Sequence, residues 1–275
     1  MAPLQIHEPG KTPLPHAKDQ VAWGIDLGTT NTLIAVAKDG HPEVLRDPDG
    51  QALLPSVVAY TDDGILVGKP ARHALLDDPH KVVASVKRLM GRGAEDIRAV
   101  AGSLPYDIEP ADKNAKDGMV RLRVGGRSLT PVEISAELLR AVAARAAASL
   151  GHKVDRAVIT VPAHFDDAAR AATKDAAKLA GIDVLRLVNE PTAAALAYGL
   201  EKGAEGVYAV YDFGGGTFDI SVLRLQMGVF QVLATGGDAQ LGGDDIDHVI
   251  AEHFMQERIA SLGASKLTAG EARMA

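Results

Sequence analysis

The fold is decided by a pattern that occurs twice, at Val21-Ala-Trp-Gly-Ile-Asp-Leu-Gly-Thr-Thr-Asn31 and at Val207-Tyr-Ala-Val-Tyr-Asp-Phe-Gly-Gly-Gly-Thr217. In each copy an apolar strand leads to one aspartate, Asp26 or Asp212, and then to a turn rich in glycine and threonine. A second apolar strand follows, at residues 32–37 and 218–225. The pattern predicts the same β-hairpin in two places.

The two turns have the chemistry of a phosphate site. Glycines let backbone N–H groups approach an anion closely, and threonines add hydroxyl donors. An aspartate at the end of a strand suits a hydrated Mg²⁺, which prefers one or two carboxylates together with phosphate oxygens. We therefore expect two similar lobes that close on one nucleoside triphosphate, with Asp26 and Asp212 holding the ion through waters. Two ordinary hairpins are the alternative, which the matching aspartate positions disfavour.

Composition excludes several classes of protein. The 275 residues include 29 basic and 36 acidic side chains, with a net charge of −7, so nucleic acid is not an expected partner. Cysteine is absent, which excludes disulfides and thiolate metal sites. Residues 1–20 lack the apolar core of a signal peptide, and no apolar run reaches membrane-spanning length. These features predict a cytoplasmic protein that does not contact a membrane.

The order of the elements predicts an α/β fold of two lobes. Residues 1–20 read as a flexible, proline-rich extension, in which Gly10-Lys11-Thr12 lacks the strand and glycine of a phosphate loop. Residues 21–67 read as a meander of hairpins, and residues 69–92 as helical. Further strands are predicted at residues 157–161, 184–188 and 230–234, and helices at 131–150, 166–180, 191–200 and after Gly243. We assign residues 21–203 to lobe I and 204–275 to a lobe II that is cut short.

Six motifs identify the family that this chain resembles. They are Asp26-Leu-Gly-Thr-Thr-Asn31, Ser85-Val-Lys-Arg-Leu-Met-Gly-Arg92, Val158-Ile-Thr-Val-Pro-Ala-His-Phe165, Val188-Asn-Glu-Pro-Thr-Ala-Ala-Ala-Leu-Ala-Tyr-Gly-Leu200, Asp212-Phe-Gly-Gly-Gly-Thr-Phe-Asp-Ile220 and Leu241-Gly-Gly-Asp-Asp-Ile-Asp247. Together they resemble the nucleotide-binding domain of the seventy-kilodalton heat-shock chaperones, from about Val21 to His248. The resemblance implies an actin-like, ribonuclease H-like two-lobed ATPase domain, C-terminally truncated here.

Three further stretches are similar to one bacterial branch of this family, which is dedicated to iron–sulfur cluster assembly. They are Leu4-Gln5-Ile6, Leu54-Pro-Ser-Val-Val58 and Leu233-Ala-Thr-Gly-Gly-Asp238. The general protein-folding branch of the family is the alternative. Either branch implies a bacterial cytoplasmic chaperone that hydrolyses ATP.

The resemblance implies a role for each site residue. ATP or ADP is expected to bind with Mg²⁺, and K⁺ is a further candidate ion. Lys87 is expected to reach the γ-phosphate, Glu190 to orient the attacking water, and Thr217 to complete the catalytic set. Metal binding is assigned to Asp26, Asp212 and Asp219. The nucleotide is assigned to Gly28, Thr29, Thr30, Asn31, Gly214, Gly215, Gly216, Thr217, Gly242 and Gly243.

The resemblance also implies partners. Arg186 and Asn189 match positions near the docking surface for a J-domain co-chaperone. Pro162 and Arg170 resemble a relay between the nucleotide state and a peptide-binding domain. That domain, which is absent from residues 1–275, would hold a client such as an iron–sulfur scaffold protein.

Other functions remain open from the residues alone. A sugar kinase or a filament-forming actin-like protein would share the two-lobed fold, but the Lys87 and Glu190 motifs disfavour both. A truncated fragment that is inactive, or binds without hydrolysis, is the non-enzymatic alternative. Elements for the adenine base are expected after residue 275. We therefore expect ATP hydrolysis by the full-length protein, and weak ATP binding with negligible hydrolysis by residues 1–275 alone, with Ile250 and Phe254 partly exposed. His248 and Glu252, with Asp244 one turn earlier, read as a solvated acidic face rather than a metal site.

Overall fold

The computed structural model describes residues 23–38, 41–93, 96–97, 107–109, 118–151, 153–198, 205–238 and 241–262. The predicted extension at 1–20, with its Gly10-Lys11-Thr12 sequence, lies outside the described residues. The same holds for residues 199–204, which contain the predicted boundary between the lobes, and for residues after 262.

Strands and helices alternate in the second half of the described chain, whereas strands dominate the first half. The strands are β1 (Trp23–Leu27), β2 (Asn31–Lys38), β3 (His41–Val44), β4 (Leu54–Pro55), β5 (Val57–Thr61), β6 (Gly64–Val67), β7 (Val82–Ala84), β8 (Asp107–Ile108), β9 (Leu122–Val124), β10 (Arg127–Leu129), β11 (Arg156–Val161), β12 (Asp183–Asn189), β13 (Gly206–Phe213), β14 (Phe218–Gln226) and β15 (Val229–Asp238). The α-helices are α1 (Lys69–Asp77), α2 (Pro131–Leu150), α3 (Asp167–Leu179), α4 (Glu190–Ala197) and α5 (Gly243–Leu262).

The strands form four sheets. The large sheet has the order β12-β11-β1-β2-β3, and β4 pairs with β2. In it β11 lies between β12 and β1 and runs parallel to both, whereas β2 is antiparallel to its neighbours β1 and β3. The C-terminal sheet is an antiparallel meander of β13, β14 and β15. Two smaller three-stranded sheets have the orders β6-β5-β7 and β10-β9-β8.

The main hydrophobic core lies between the large sheet and the helices that cross over it. Trp23 and Ile25 from β1 are each 1 % exposed, and Leu138 and Leu139 from α2 are 1 % and 0 % exposed. They belong to one cluster that also takes in α3 and the segment around Val86. Burial of this apolar surface holds β1 and β11 in place, and β1 carries Asp26 near its end.

Helix α2 begins and ends where its sequence predicts. The Thr130 side chain accepts a hydrogen bond from the Glu133 N–H, and the Glu133 carboxylate accepts one from the Thr130 N–H, which forms a capping box. Gly151 ends the helix in the left-handed conformation, with φ of 69°. The predicted helix at 166–180 is likewise confirmed, with Asp166 as its N-cap.

Two predictions about the first half need correction. The meander predicted for residues 21–67 holds for β1, β2 and β3, but β5 and β6 belong to a different sheet. The helix predicted for residues 69–92 ends at Asp77, because Val82–Ala84 forms β7 and pairs with β5. Val82 and Val83 are buried there. Because β-branched side chains pack well in a sheet, this burial outweighed the helical pattern of the surrounding sequence. Helix α4 ends at Ala197, short of the predicted Leu200.

Candidate functional site

The two glycine turns have the same size, as the repeated sequence predicted. The first glycine turn comprises residues 28–31, between the paired residues Leu27 and Thr32. The second glycine turn comprises residues 214–217, between the paired residues Phe213 and Phe218. Four residues therefore separate the last strand pair in each hairpin. The residue opposite the aspartate differs between the copies: Asp26 lies opposite Leu33, whereas Asp212 lies opposite Asp219.

The two glycine turns contact each other directly, although they come from different sheets. A Cβ atom on Gly215 would collide with the Thr30 hydroxyl, and one on Gly216 would collide with the Thr29 methyl group. A side chain at either glycine would therefore push the turns apart. The structure thus places Thr29, Thr30, Gly215 and Gly216 in one cluster at the junction of the two sheets.

Each turn is held by neighbouring residues. The Ser56 hydroxyl donates to the Gly28 carbonyl at 2.8 Å, and the Ser56 N–H donates to the Thr30 carbonyl at 2.8 Å. In the second turn the Gly214 N–H donates to the Thr217 carbonyl at 3.0 Å. These bonds hold the turns in place before any ligand binds. A ligand therefore needs to order little of the backbone, which lowers the entropic cost of binding.

Gly242 and Gly243 support the second glycine turn. The Gly243 N–H donates to the Gly214 carbonyl at 3.0 Å, and the Asp244 N–H donates to the Gly215 carbonyl at 2.8 Å. The Gly242 N–H donates to Asp245 Oδ2 at 2.8 Å. Because these N–H groups already have acceptors, the predicted phosphate contact of Gly242 and Gly243 gains no support from the structure. The start of α5 instead braces the turn.

Lys87 and Glu190 meet in a buried ion pair, although 102 residues lie between them in the chain. Lys87 Nζ lies 2.5 Å from Glu190 Oε1, and the two side chains are 10 % and 17 % exposed. Lys87 belongs to a 3-10 helix, Val86–Leu89, which follows Ser85 in the left-handed conformation with φ of 54°. Glu190 is the first residue of α4. Two motifs that the sequence could connect only by resemblance are thus brought into contact.

Burial raises the pKa of the Glu190 carboxyl above its usual range. The Lys87 ammonium opposes this rise, whereas the charges of Asp26 and Asp212 add to it. All four charged groups therefore lie close enough to interact. A carboxyl with a raised pKa, held by a cation in a cleft, is suited to accept a hydrogen bond from a reacting water.

The three predicted metal residues form an acidic cluster. Burial raises the pKa of the Asp212 carboxyl, and the charge of Asp219 raises it further, with a smaller effect from Asp26. Lys87 acts in the opposite direction. Within the described residues, no three His, Asp or Glu side chains are placed to ligate a metal directly. Carboxylate oxygens are ligands that divalent cations such as Mg²⁺ prefer, so this cluster is the candidate metal site of the two hairpins.

Thr217 lies in the same cleft as Lys87. The cleft is lined by side chains from both sides of the junction, including Lys87, Arg88, His164 and Thr217. Pro162 lines it as well. The geometry therefore brings together the predicted phosphate, catalytic and metal residues, with Gly242 and Gly243 behind the second turn.

Four side chains at the junction were missed by the sequence analysis. Arg88 donates to both carboxylate oxygens of Asp245, at 3.1 and 2.5 Å. The Thr160 hydroxyl donates to Asp26 Oδ1 at 2.6 Å, and His164 Nδ1 lies 2.6 Å from Asp219 Oδ1. The Ser85 hydroxyl donates to Asp244. Each partner is at least 50 residues away in sequence, so no local pattern could have connected them.

Among the predicted relay and docking residues, Pro162 lines the cleft together with Thr217, whereas the other three belong to α3 and β12. Arg170 donates to the Phe165 carbonyl and to Asn189 Oδ1, each at 2.9 Å, so it links α3 to the end of β12. Arg186 is exposed on β12. Asn189 is thus engaged by Arg170, whereas Arg186 remains accessible to a partner protein.

Helix α5 carries the exposed groups that the sequence predicted. His248 and Glu252 pair at 3.2 Å with side chains 60 % and 55 % exposed, which confirms a solvated face for these two residues. Asp244 is only partly exposed, and it accepts a hydrogen bond from Ser85. Ile250 and Phe254 are each 48 % exposed, also as predicted. In the described parts of the chain, no helix combines the length and the apolar character needed to cross a membrane.

Comparison with known proteins identifies similar chains. The family model described as Hsp70 protein matches residues 22–266. A protein of Acidithiobacillus ferrooxidans named Chaperone protein HscA homolog is 58 % identical over 258 residues, which cover 94 % of this chain and 41 % of that relative. The HscA homolog of Photobacterium profundum is 54 % identical over 274 residues, or 43 % of its length. Chaperone protein HscA of Edwardsiella ictaluri is 54 % identical over 257 residues.

The matches cover nearly all of this chain but less than half of each relative. The chain spans 41 to 43 % of the length of these curated relatives. The region in common contains both glycine turns, the Lys87 and Glu190 segments and the start of α5. The predicted α/β fold class, that of a heat-shock nucleotide-binding domain, is confirmed by this match together with the mixed sheets and helices.

Proposed function

This chain belongs to the Hsp70 family, and from that premise we propose that it forms the nucleotide-binding part of a chaperone that hydrolyses ATP to ADP and phosphate. The observation that carries the proposal is the buried Lys87–Glu190 pair at the junction of the two glycine turns. The same pair gives no support to the two alternative functions, a sugar kinase and an actin-like filament protein.

The phosphates would lie at the cluster of glycine turns. Thr29, Thr30, Gly215 and Gly216 meet there, and their hydroxyl and N–H groups are donors suited to phosphate oxygens. Asn31, Gly28, Gly214 and Thr217 complete the two turns. Bound Mg²⁺ would neutralise charge on the phosphate oxygens, and Asp26, Asp212 and Asp219 would hold its waters.

Lys87 and Glu190 would act on the transferred phosphoryl group and on water. In the proposed reaction a water oxygen attacks the γ-phosphorus, and the bond to the oxygen shared with the β-phosphate breaks. Glu190 would accept a hydrogen bond from that water and orient it. Lys87 has three ammonium hydrogens, so it can keep its bond to Glu190 and still donate to a γ-phosphate oxygen. Its charge would stabilise the transition state.

The names of the relatives support a narrower assignment. They are called HscA or HscA homolog, and this name favours the branch that serves iron–sulfur cluster assembly over the general protein-folding branch. We extend the proposal to a J-domain co-chaperone docking near Arg186 and Asn189, and to an iron–sulfur scaffold protein as client. The bacterial cytoplasm is the proposed compartment.

Lys87→Ala tests the proposed function in the chain extended to the full length of its relatives, with Lys174→Ala as the matched control. Lys174 is an exposed lysine of α3. If Lys87 acts mainly on the transition state, phosphate release falls roughly 100-fold or more while the dissociation constant of Mg·ATP changes by less than about threefold. Calorimetry measures binding, and a phosphate-release assay measures hydrolysis. The Lys174 variant should match the parent in both.

Two outcomes would contradict the proposal. A parent protein that binds Mg·ATP without hydrolysing it would support the binding-only alternative instead. A Lys87 variant that loses affinity while its bound fraction still hydrolyses ATP normally would make Lys87 a ground-state binding residue, and its catalytic assignment would be wrong.

A further inference from the structure

His164 connects the large sheet to the acidic cluster on the C-terminal sheet. It lies in the turn between β11 and α3, and its Nδ1 is 2.6 Å from Asp219 Oδ1 on β14. The Asp219 side chain is only 10 % exposed, and that of His164 is 31 % exposed. A contact this short between two sheets makes the position of Asp219 depend on the turn that carries His164.

The direction of this hydrogen bond follows from the chemistry of the two groups. An ionised carboxylate can only accept, so Nδ1 of His164 is the donor whether the ring is neutral or charged. The ring itself is oriented by Phe165, whose ring meets it edge-on at 5.6 Å between centroids and 83° between planes. His164 therefore presents a fixed donor to one oxygen of Asp219.

Thr160 does the same for Asp26, from the same segment of chain. Its hydroxyl donates to Asp26 Oδ1 at 2.6 Å, from a position four residues before His164. One short segment thus supplies a donor to a carboxylate in each glycine hairpin. In the hydrogen bonds found among the described residues, each of these donors takes the Oδ1 atom, and Oδ2 of Asp26 and of Asp219 is left for waters of a cation.

Repulsion explains why such donors are needed. Asp212 and Asp219 are directly opposite on neighbouring strands, where like charges destabilise a sheet. Without a hydrogen-bond donor, the Asp219 carboxylate would rotate away from Asp212, because this rotation reduces the repulsion between the two charges. A hydrogen bond to an ionised group is strong enough to oppose that rotation.

We propose that His164 is a positioning residue, which holds the Asp219 carboxylate beside Asp212 so that both address one hydrated divalent cation. This inference rests on the proposed function, because the cation is the one that accompanies the nucleotide. His164 contacts neither the reacting atoms nor, in this role, the cation. It acts through Asp219, as groups that orient metal-binding carboxylates do in other sites.

A binding measurement with Mn²⁺ tests the proposal without relying on activity. Mn²⁺ binds the same kinds of oxygen ligand as Mg²⁺. Electron paramagnetic resonance measures the concentration of unbound Mn²⁺. We would titrate Mn²⁺ into the protein at saturating ADP. His164→Phe keeps an aromatic ring but removes the donor, and we expect it to weaken Mn²⁺ binding about tenfold.

His164→Asn separates positioning from packing. The side-chain amide of asparagine can place a donor near the position of Nδ1, so we expect Mn²⁺ affinity within about threefold of the parent. His73→Phe is the control, because His73 is exposed on α1, and it should bind Mn²⁺ like the parent.

The possible results test the role of His164 separately from the proposed function. A parent that shows no ADP-dependent Mn²⁺ binding would overturn the proposed function, and this inference with it. If the parent binds Mn²⁺ with ADP but His164→Phe binds equally well, only the role of His164 is overturned. Equal losses in His164→Phe and His164→Asn would also overturn it, because the donor would then not be the feature that matters.

Discussion

Single residues at the junction show how much unfavourable charge this fold accommodates. Asp212 and Asp219 are opposite each other in the β13–β14 ladder, and Asp26 from the other hairpin acts on the same group. Burial and these neighbours raise the pKa of Asp212. The acidic cluster therefore reduces the stability of the metal-free protein, and a cation bound there, as proposed, would offset that repulsion.

Asp212→Asn should make the metal-free protein more stable at neutral pH. The pKa of Asp212 is raised in the folded protein above its ordinary value. The protonated carboxyl therefore costs the folded state nothing below the ordinary pKa, and stability is lost as the pH rises through the folded-state pKa. Asparagine does not ionise, so the variant does not lose stability as the pH rises. Urea unfolding should therefore show the variant more stable than the parent at pH 7, and the two similar near pH 4.

The same variant should lose its response to Mg²⁺. With Mg²⁺ and ADP present, the parent should gain stability and Asp212→Asn should gain little, because the cation is held by fewer carboxylates. Metal-dependent hydrolysis should fall at least about tenfold, or about 1.4 kcal/mol of transition-state stabilisation. Unchanged turnover across a Mg²⁺ titration would show that Asp212 does not serve the ion.

At the scale of elements, the glycine turns depend on what packs behind them. The start of α5 donates two backbone N–H groups to the second glycine turn, from Gly243 and Asp244. Gly242 lies so close to that turn that a Cβ atom would come within 2.5 Å of the Gly215 carbonyl group and 2.6 Å of the Gly216 nitrogen. These neighbours are backbone atoms, which cannot rotate away as a side chain can.

Gly242→Ala should therefore displace the second glycine turn from α5. We expect a loss of about 1–3 kcal/mol in the free energy of unfolding, as for other overpacked sites, together with weaker ADP binding. Gly24→Ala is the matched control, because a Cβ atom on Gly24 meets no atom within 4 Å. Its change should stay within about 0.5 kcal/mol. Equal unfolding midpoints in urea for the two variants would refute the packing argument.

At the scale of the whole molecule, side-chain contacts join the large sheet and the C-terminal sheet. In the described parts of the chain, no strand of one pairs with a strand of the other. Arg88, from the segment that carries Lys87, donates to Asp245 of α5 and to the Gly215 carbonyl. Its side chain is 14 % exposed, and that of Asp245 is 35 % exposed. This pair therefore couples the position of the segment that carries Lys87 to that of the second glycine turn.

A double-mutant cycle measures that coupling. Arg88→Met and Asp245→Asn, alone and together, should give an interaction free energy of about 1–2 kcal/mol, because the pair is two-pronged and partly buried. The Glu137–Arg140 pair on α2 is a control, at 2.5 Å but three residues apart on one helix. It should give about 0.3–0.5 kcal/mol. Additive effects of the Arg88 and Asp245 changes would mean that the two parts are held by other contacts.

Local sequence determined the elements and the turns of this protein. The two glycine hairpins, the capping box and glycine end of α2, and the N-cap of α3 each depend on residues within a few positions of one another. Such signals act through backbone dihedrals and short hydrogen bonds, which neighbouring residues control. The family motifs also selected Lys87 and Glu190, although an isolated lysine or glutamate carries no such meaning.

Tertiary structure alone decided which of these residues meet. Strand β7 replaced a predicted helix because Val82 and Val83 are buried against β5, and the pairing of Arg88 with Asp245 joins segments far apart in the chain. The same is true of Thr160 with Asp26 and His164 with Asp219. A distant partner changes the energy of a residue only after the sheets have packed. Burial and charge at the junction therefore depend on the assembled fold and cannot be read from any one segment.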